Sequence, residues 1–260
     1  MSERISDRSV FEYIVVGLAA MVYVLFTSGH TAHPSLRVDF TPASPAPLKP
    51  AVAAPEKLDL PPSPKAPQLF TLYQAARDGD PEAAFDLGNI YAAGLDAPPD
   101  YEMAARWFSR AAAQGLADAQ YNLAVFYAKG YVGDHDPARA LPLFEAAAAQ
   151  GLADAEVALG LMYRDGVAIN RDYVKAWDLF LKAARQGDPV AYSLLAVSCE
   201  GGLGVKRDRT EALKWQLLAE RRGRPDPEFH AHLVGVLTPA QQNDARARAD
   251  AFEASLPTKH

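Results

Sequence analysis

The 260-residue sequence has a single cysteine, Cys199. One thiol cannot close an intrachain disulfide or build a multi-cysteine metal site. Positive charge is also scarce. Lys and Arg number 26 against 32 Asp and Glu, for a net charge of −6 and a pI near 5.5. A phosphate-binding surface wants clustered Lys and Arg. No such block occurs, which argues against a nucleic-acid partner. Long apolar runs are missing too. The longest candidate, Tyr13 to Thr27, holds 15 uncharged residues, short of the roughly 17 to 25 that a spanning helix needs.

Catalytic signatures are equally sparse. Gly201, Gly202, Gly204 and Lys206 resemble a phosphate loop only faintly, because no strand precedes them and the G-K-[ST] ending is absent. His230 and His232 form a bare H-x-H on a predicted helix, where residues two apart point to different faces. Cys199 falls on a helical packing position. No metal ligand set and no cofactor motif emerges, and the chain reads as a non-enzyme. With 49% hydrophobic and 22% charged residues, it still has the composition of a folded core.

What the sequence does have is a period. Glycine returns every 36 residues, at Gly79, Gly115, Gly151, Gly187 and Gly223. The same step links Leu87, Leu123, Leu159 and Leu195, then Gly94, Gly130, Gly166 and Gly202, then Asp100, Asp136, Asp172 and Asp208. A fixed period of about 20 to 50 residues marks a stacked-repeat protein. Each unit reads as two helices. In the second unit Ala119, Leu123, Ala124 and Tyr127 form a helical stripe that Gly130 ends. Asp136 is a good N-cap and Pro137 suits the first helical position. A second helix then runs to about Gln150. Pro142 inside it is expected to kink or shorten it. Alanines recur at Ala83, Ala119, Ala155 and Ala191, and at Ala111, Ala147, Ala183 and Ala219. Such small residues let helix axes approach closely, and large residues such as Trp107 and Phe108 fill the remaining volume. One unit cannot bury its apolar face alone, so units stack.

The pattern A-x-x-x-L-G-x-x-Y-x-x-G, then D-x-x-x-A, then A-A-x-x-G resembles the Sel-one-like repeat (SLR) family, related to tetratricopeptide repeats. The third unit matches best, with Ala155, Leu159, Gly160, Tyr163, Gly166, Asp172, Lys175, Ala176, Lys182, Ala183, Ala184 and Gly187. A second loop glycine survives only as Gly204. Asp96, Val132 and Ala168 replace it, and Cys199 stands where tyrosine is usual. The resemblance implies an all-α, right-handed solenoid of four helix pairs with helical caps. It also implies adaptor or assembly roles in signalling, envelope polysaccharide export or secretion.

The expected organisation is a cytoplasmic N-terminus (1–12), a transmembrane anchor or uncleaved signal (13–29) and a disordered Pro/Ala-rich linker (30–68). A capping helix (69–79), four repeats (80–115, 116–151, 152–187 and 188–223) and a C-terminal helical cap (224–260) follow. Arg4 and Arg8 precede the apolar stretch, and no Lys or Arg follows until Arg37. The positive-inside rule then keeps the N-terminus cytoplasmic, with the repeats in the periplasm of a bacterial inner-membrane protein. A cleaved signal peptide and a buried helix are the alternatives for this stretch. Nine prolines between Pro42 and Pro67 favour polyproline II, at about 3.1 Å per residue. This suits a spacer, with tolerated disorder or docking to a partner as the other readings.

In tetratricopeptide-like stacks the first helix of each pair lines the concave face. Counting from the in-phase leucine gives a candidate groove of Phe85, Asn89, Tyr121, Val125, Lys129, Val157, Leu161, Arg164, Ser193 and Val197, unless Phe85, Tyr121 and Val157 are simply core. Such a groove suits an amphipathic helix or an extended peptide of a protein partner. The expected function is therefore a membrane-tethered scaffold. An envelope hydrolase or drug-modifying enzyme on a repeat scaffold, and a cytoplasmic-side adaptor of inverted topology, are the alternatives.

Overall fold

The structure is a computed structural model, and it describes residues 67–94 and 98–256. The expected anchor and residues 30–66 of the expected linker lie outside these residues, whereas Pro67 and Gln68, expected in the linker, open the first helix. Among the described residues there are eleven helices and no strand. They are α1 (Pro67–Asp78), α2 (Pro81–Ala93), α3 (Tyr101–Ala113), α4 (Ala117–Lys129), α5 (Pro137–Ala149), α6 (Ala153–Asp165), α7 (Tyr173–Arg185), α8 (Pro189–Gly201), α9 (Arg209–Arg221), α10 (Pro227–Val236) and α11 (Pro239–Ser255). None of these helices is long and apolar enough to cross a membrane.

The helices pair as α2–α3, α4–α5, α6–α7 and α8–α9, and successive pairs stack to form an α-solenoid. The first helix of each pair is termed A and the second B. Each of these eight helices is 13 residues long. Their uniformity comes from identical stop signals. Each B helix ends on a glycine at positive φ: Gly115 at 92°, Gly151 at 83°, Gly187 at 85° and Gly223 at 82°. The residue after it donates its amide back five residues, as Leu116 does to Ala111 and Arg224 to Ala219. This is a Schellman turn, which satisfies helix carbonyls that would otherwise lack donors. α1 ends the same way, on Gly79 with Asp80 bonded to Ala75. It therefore closes in the manner of a B helix.

The A-to-B loops are pinned by one aspartate each. The amides of Asp100, Asp136, Asp172 and Asp208 donate to the carbonyls of Tyr91, Tyr127, Tyr163 and Cys199, at 2.8–3.0 Å. Their carboxylates cap the following helix, as Asp100 does for the Met103 amide at 2.9 Å. Because the return bond uses a backbone carbonyl, cysteine can stand in the tyrosine position of the fourth unit without loosening the loop.

The core lies between paired helices and between units. Ala104, Ala140, Ala176 and Ala212 are buried, as are Ala111, Ala147, Ala183 and Ala219. Gly88 and Gly160 face Phe108 and Phe180, where an added Cβ would sit 2.5 Å from a ring carbon. Pro142 does not shorten α5, which spans the same 13 residues as its counterparts. Pro142 is exposed, and so is Ala138, whose carbonyl the missing amide would have met. Water can serve that carbonyl, which lowers the cost of the proline.

At the far end α11 packs on α9, where a further A helix would lie. Phe252 sets its ring 4.8 Å from that of Trp215, and Arg221 bonds Asp250 and Glu253 at 2.6 and 2.9 Å. Thr238 and Gln241 complete a capping box at the start of α11.

Ala168 is the one non-glycine residue at positive φ, 58°, among the described residues. Gly204, 36 residues on, has φ 76° and lies against the Tyr173 carbonyl of the preceding unit. Ala168→Gly is expected to stabilise the fold by up to about 1 kcal/mol. Gly204→Ala is expected to cost about 2 kcal/mol or more, because a Cβ there meets backbone. Denaturant midpoints of the two variants against wild type check both signs.

Candidate functional site

Exposed positions recur on one side of three A helices: Glu82 and Asp86 on α2, Asp154 and Asp165 on α6, and Val197 and Gly201 on α8, with Asn89 and Leu161 half-buried beside them. On α4 the equivalent positions Asn122 and Val125 are buried, so the stripe is interrupted there. The candidate groove residues fall on this stripe or at its margins. Val197 is the most open of them, at 38% exposure, while Phe85, Asn89, Lys129, Leu161, Arg164 and Ser193 are half-buried. Tyr121, Val125 and Val157 are buried, at 6%, 3% and 8%. Positions two before the in-phase leucine lie one step round the helix from the open stripe. Phe85 accordingly meets Phe108 at 5.8 Å, and Tyr121 meets Phe144 at 5.8 Å.

Several of these side chains are already engaged. Arg164 forms a two-point ion pair with Asp165 at 2.7 and 2.8 Å. Ser193 donates to the Pro189 carbonyl at 3.2 Å. Burial lowers the Lys129 ammonium below its ordinary pKa. Burial raises the Tyr121 phenol, and the Asp154 and Asp188 carboxylates add to the shift. Two amide atoms on this side, Asn89 Oδ1 and Asn122 Nδ2, are buried without a hydrogen-bond partner. The exposed groups are carboxylates on α2 and α6 and Val197 on α8, a pattern suited to a partner with basic groups and an apolar end.

The residues considered for chemistry are dispersed. Cys199 is buried and its thiol is pushed up to about 12, mainly by burial, with Glu211 and Asp208 adding. It is a packing group at neutral pH, since the thiolate is the nucleophile. His230 Nδ1 pairs with Glu220 at 2.8 Å, whereas His232 Nε2 lies 3.5 Å from Glu200. The two imidazoles therefore serve different partners. Among the described residues no group of three His, Cys, Asp or Glu converges as a metal site. Gly201 is the last residue of α8, and Gly202 and Gly204 lie in the α8–α9 connector, with Gly202 as a left-handed cap.

A second periodic feature went unread in the sequence. Gln150 Nε2 donates to Gln120 Oε1 at 2.9 Å, and Gln186 Nε2 to Glu156 Oε2 at 2.9 Å. Each bond clasps the end of a B helix to its own A helix. The spacing of Gln114, Gln150 and Gln186 by 36 was the available signal.

The chain was compared with known proteins. The Sel1 repeat profile matches residues 81–116, 117–152, 153–188 and 189–223. A solved Sel1 repeat protein from Oxalobacter formigenes is 26% identical, with a TM-score of 0.57, over 75% of this chain and 86% of that one. A protective antigen present in uropathogenic Escherichia coli strains, displaying an SLR fold, is 25% identical with a TM-score of 0.51, over 72% of this chain. The chain spans about half of that antigen's length, 48%. Among curated proteins none matches.

Asp188 caps α8 through the Ala191 amide at 2.6 Å and is half-buried. Its carboxyl is pushed up to about 6. Burial is the main cause and Asp154 adds to it, while the Ala191 and Val190 amides and Arg224 act against it. The folded state thus holds this proton more tightly than the unfolded chain does. The resulting stabilisation is complete below the ordinary aspartate range and is lost as pH rises through about 6. Asp188→Asn keeps the cap and removes the charge. It is expected to be more stable than wild type near pH 7.5 by up to about 3 kcal/mol, with little difference near pH 3.5. Thermal unfolding at both pH values checks this.

Four in-phase matches cover more than half of the chain, on a stack of helix pairs that shares its fold with solved members. The protein belongs to the Sel1 repeat family, whose members are generally non-catalytic scaffolds that bind protein partners.

Proposed function

We propose that the protein is a membrane-tethered adaptor that holds another polypeptide along the open side of its A helices. The observation that carries this reading is the set of exposed positions on one side of the A helices, Glu82 and Asp86 on α2, Asp154 and Asp165 on α6 and Val197 on α8, interrupted at α4. Phe85, Asn89, Lys129, Leu161, Arg164, Ser193 and Val197 form its contact surface, and Tyr121, Val125 and Val157 support it from beneath. An amphipathic helix or extended peptide with basic groups and an apolar end fits this pattern. The tether is the charge-free stretch Tyr13–Thr27, with Arg4 and Arg8 on the cytoplasmic side and the repeats in the periplasm of a bacterial cell. The setting is envelope assembly, signalling or secretion.

Two measurements test the reading. Crosslinking and recovery from intact membranes compare wild type with Val197→Glu, which changes an open apolar position and leaves the core untouched. Loss of most of the recovered partner, about tenfold or more for a charge buried at a contact, is expected, and full recovery contradicts the groove. Reporter fusions after residue 70 test topology. Activity of a periplasm-dependent reporter is expected, and activity of a cytoplasm-only reporter overturns the orientation.

A further inference from the structure

The first junction between units carries an aromatic surface that the packing of the solenoid leaves half-open. Tyr101 opens α3, and Tyr131 follows α4 in the next unit. Their rings stack with centroids 4.9 Å apart and planes 18° apart. Phe126 lies beneath both, edge-on to Tyr101 at 5.7 Å and to Tyr131 at 5.3 Å, and rests in turn on Phe108. Tyr101 and Tyr131 remain 39% and 37% exposed. Among the described residues no partner accepts from or donates to either hydroxyl. The corresponding positions at the later junctions are Pro137 with Val167, and Tyr173 with Leu203. The paired rings are thus peculiar to the first junction.

The register of the helices says what reaches this surface. α1 and α3 run parallel as neighbours. Arg110, near the end of α3, donates to the Arg77 carbonyl, near the end of α1, at 2.6 Å. Midway along them Tyr73 meets Trp107 at 5.6 Å. The start of α1, Pro67, therefore lies at the same edge of the stack as Tyr101. The residues just upstream read Leu58-Asp59-Leu60-Pro61-Pro62-Ser63-Pro64-Lys65. In polyproline II, eight residues reach about 25 Å, more than the step between two neighbouring helices of about 10 Å. That conformation is already stiff, so it loses little entropy on docking, and it is recognised by aromatic grooves whose polar atoms meet its free carbonyls. Charge is complementary as well. Asp100, Glu102 and Asp134 are exposed along this edge, and Lys57 and Lys65 flank the proline run.

We infer that Leu60–Pro64 of this same chain dock as a polyproline II segment on the Tyr101–Tyr131 stack, fixing the path by which the linker leaves the repeats. The docked segment also shields an edge that would otherwise expose two aromatic rings.

Limited trypsin cleavage of the full chain tests this, read at the Lys57–Leu58 and Lys65–Ala66 bonds. Docking keeps both bonds protected, so cleavage follows the undocked population. Tyr101→Ala with Tyr131→Ala, and separately Pro61→Ala with Pro62→Ala and Pro64→Ala, are each expected to speed cleavage about fivefold. The proline variant leaves every helix of the stack unaltered, so it reads docking without a folding penalty. A synthetic peptide of residues 58–64, which contains no Lys or Arg and so does not compete for trypsin, added in excess to wild type, is expected to speed cleavage in the same way. Equal rates in wild type, the proline variant and the peptide-treated sample overturn the inference. These outcomes are independent of partner recovery on the A-helix side, so either proposal can fail alone.

Discussion

A left-handed backbone turn at the end of each B helix sets the geometry of the whole molecule. Glycine alone enters positive φ without a Cβ penalty. At Gly115, Gly151, Gly187 and Gly223 it lets the chain reverse while two amides reach back to helix carbonyls. Every reversal is built from the same bonds, so after Gly115, Gly151 and Gly187 the next A helix starts two residues on, at Ala117, Ala153 and Pro189. The 36-residue step is therefore a repeated local conformation, and stacking follows from it. The pinned aspartates do the same at the other end of each pair, tying the loop back and starting the B helix with one residue.

The interior left by these turns is filled with alanine and glycine against Trp107, Phe108, Phe144 and Phe180. Close approach of helices brings burial of apolar surface, at about 25 cal/mol per Å², and leaves little room for change. The open side of the A helices has no such restraint. Constancy inside and variety on one face is how a repeat stack presents different surfaces on one frame. Here the exposed groups are carboxylates on α2 and α6 and an aliphatic side chain, Val197, on α8. The ends are treated differently. Phe252 and Arg221 seal the C-terminal end through α11, whereas α1 brings the repeats to an edge carrying exposed aromatic rings.

The fold was legible because its determinants are local and recur. A glycine that must be left-handed and an aspartate that must cap leave their mark on the sequence at each repeat. From the sequence Pro142 is expected to kink or shorten its helix, and it does not shorten it; its cost depends on exposure, which periodicity does not report. The groove positions counted from the in-phase leucine include Tyr121, Val125 and Val157, which are buried, Tyr121 against Phe144 of its own B helix; burial of this kind is set by packing that the period does not report. The Gln150–Gln120 clasp and the Tyr101–Tyr131 stack join residues about thirty apart, 2.9 Å between atoms in one case and 4.9 Å between rings in the other. Pairs at nearly one period disappear into the repeat itself, so geometry was needed to separate them from the pattern. The raised pKa of Asp188 has the same origin: its capping role is written in the sequence, its burial is not.

If the turn glycines set the architecture, the unit is modular at 36 residues and at no other length. Excising residues 117–152 joins Leu116 to Ala153 in phase. The product is predicted to keep its helical circular dichroism per residue and to unfold cooperatively at a lower midpoint. Excising residues 121–152 removes nearly as much chain but puts the next turn out of step, and cooperative unfolding is predicted to be lost. Identical melting of the two deletions, or a first deletion that fails to fold, would contradict the account.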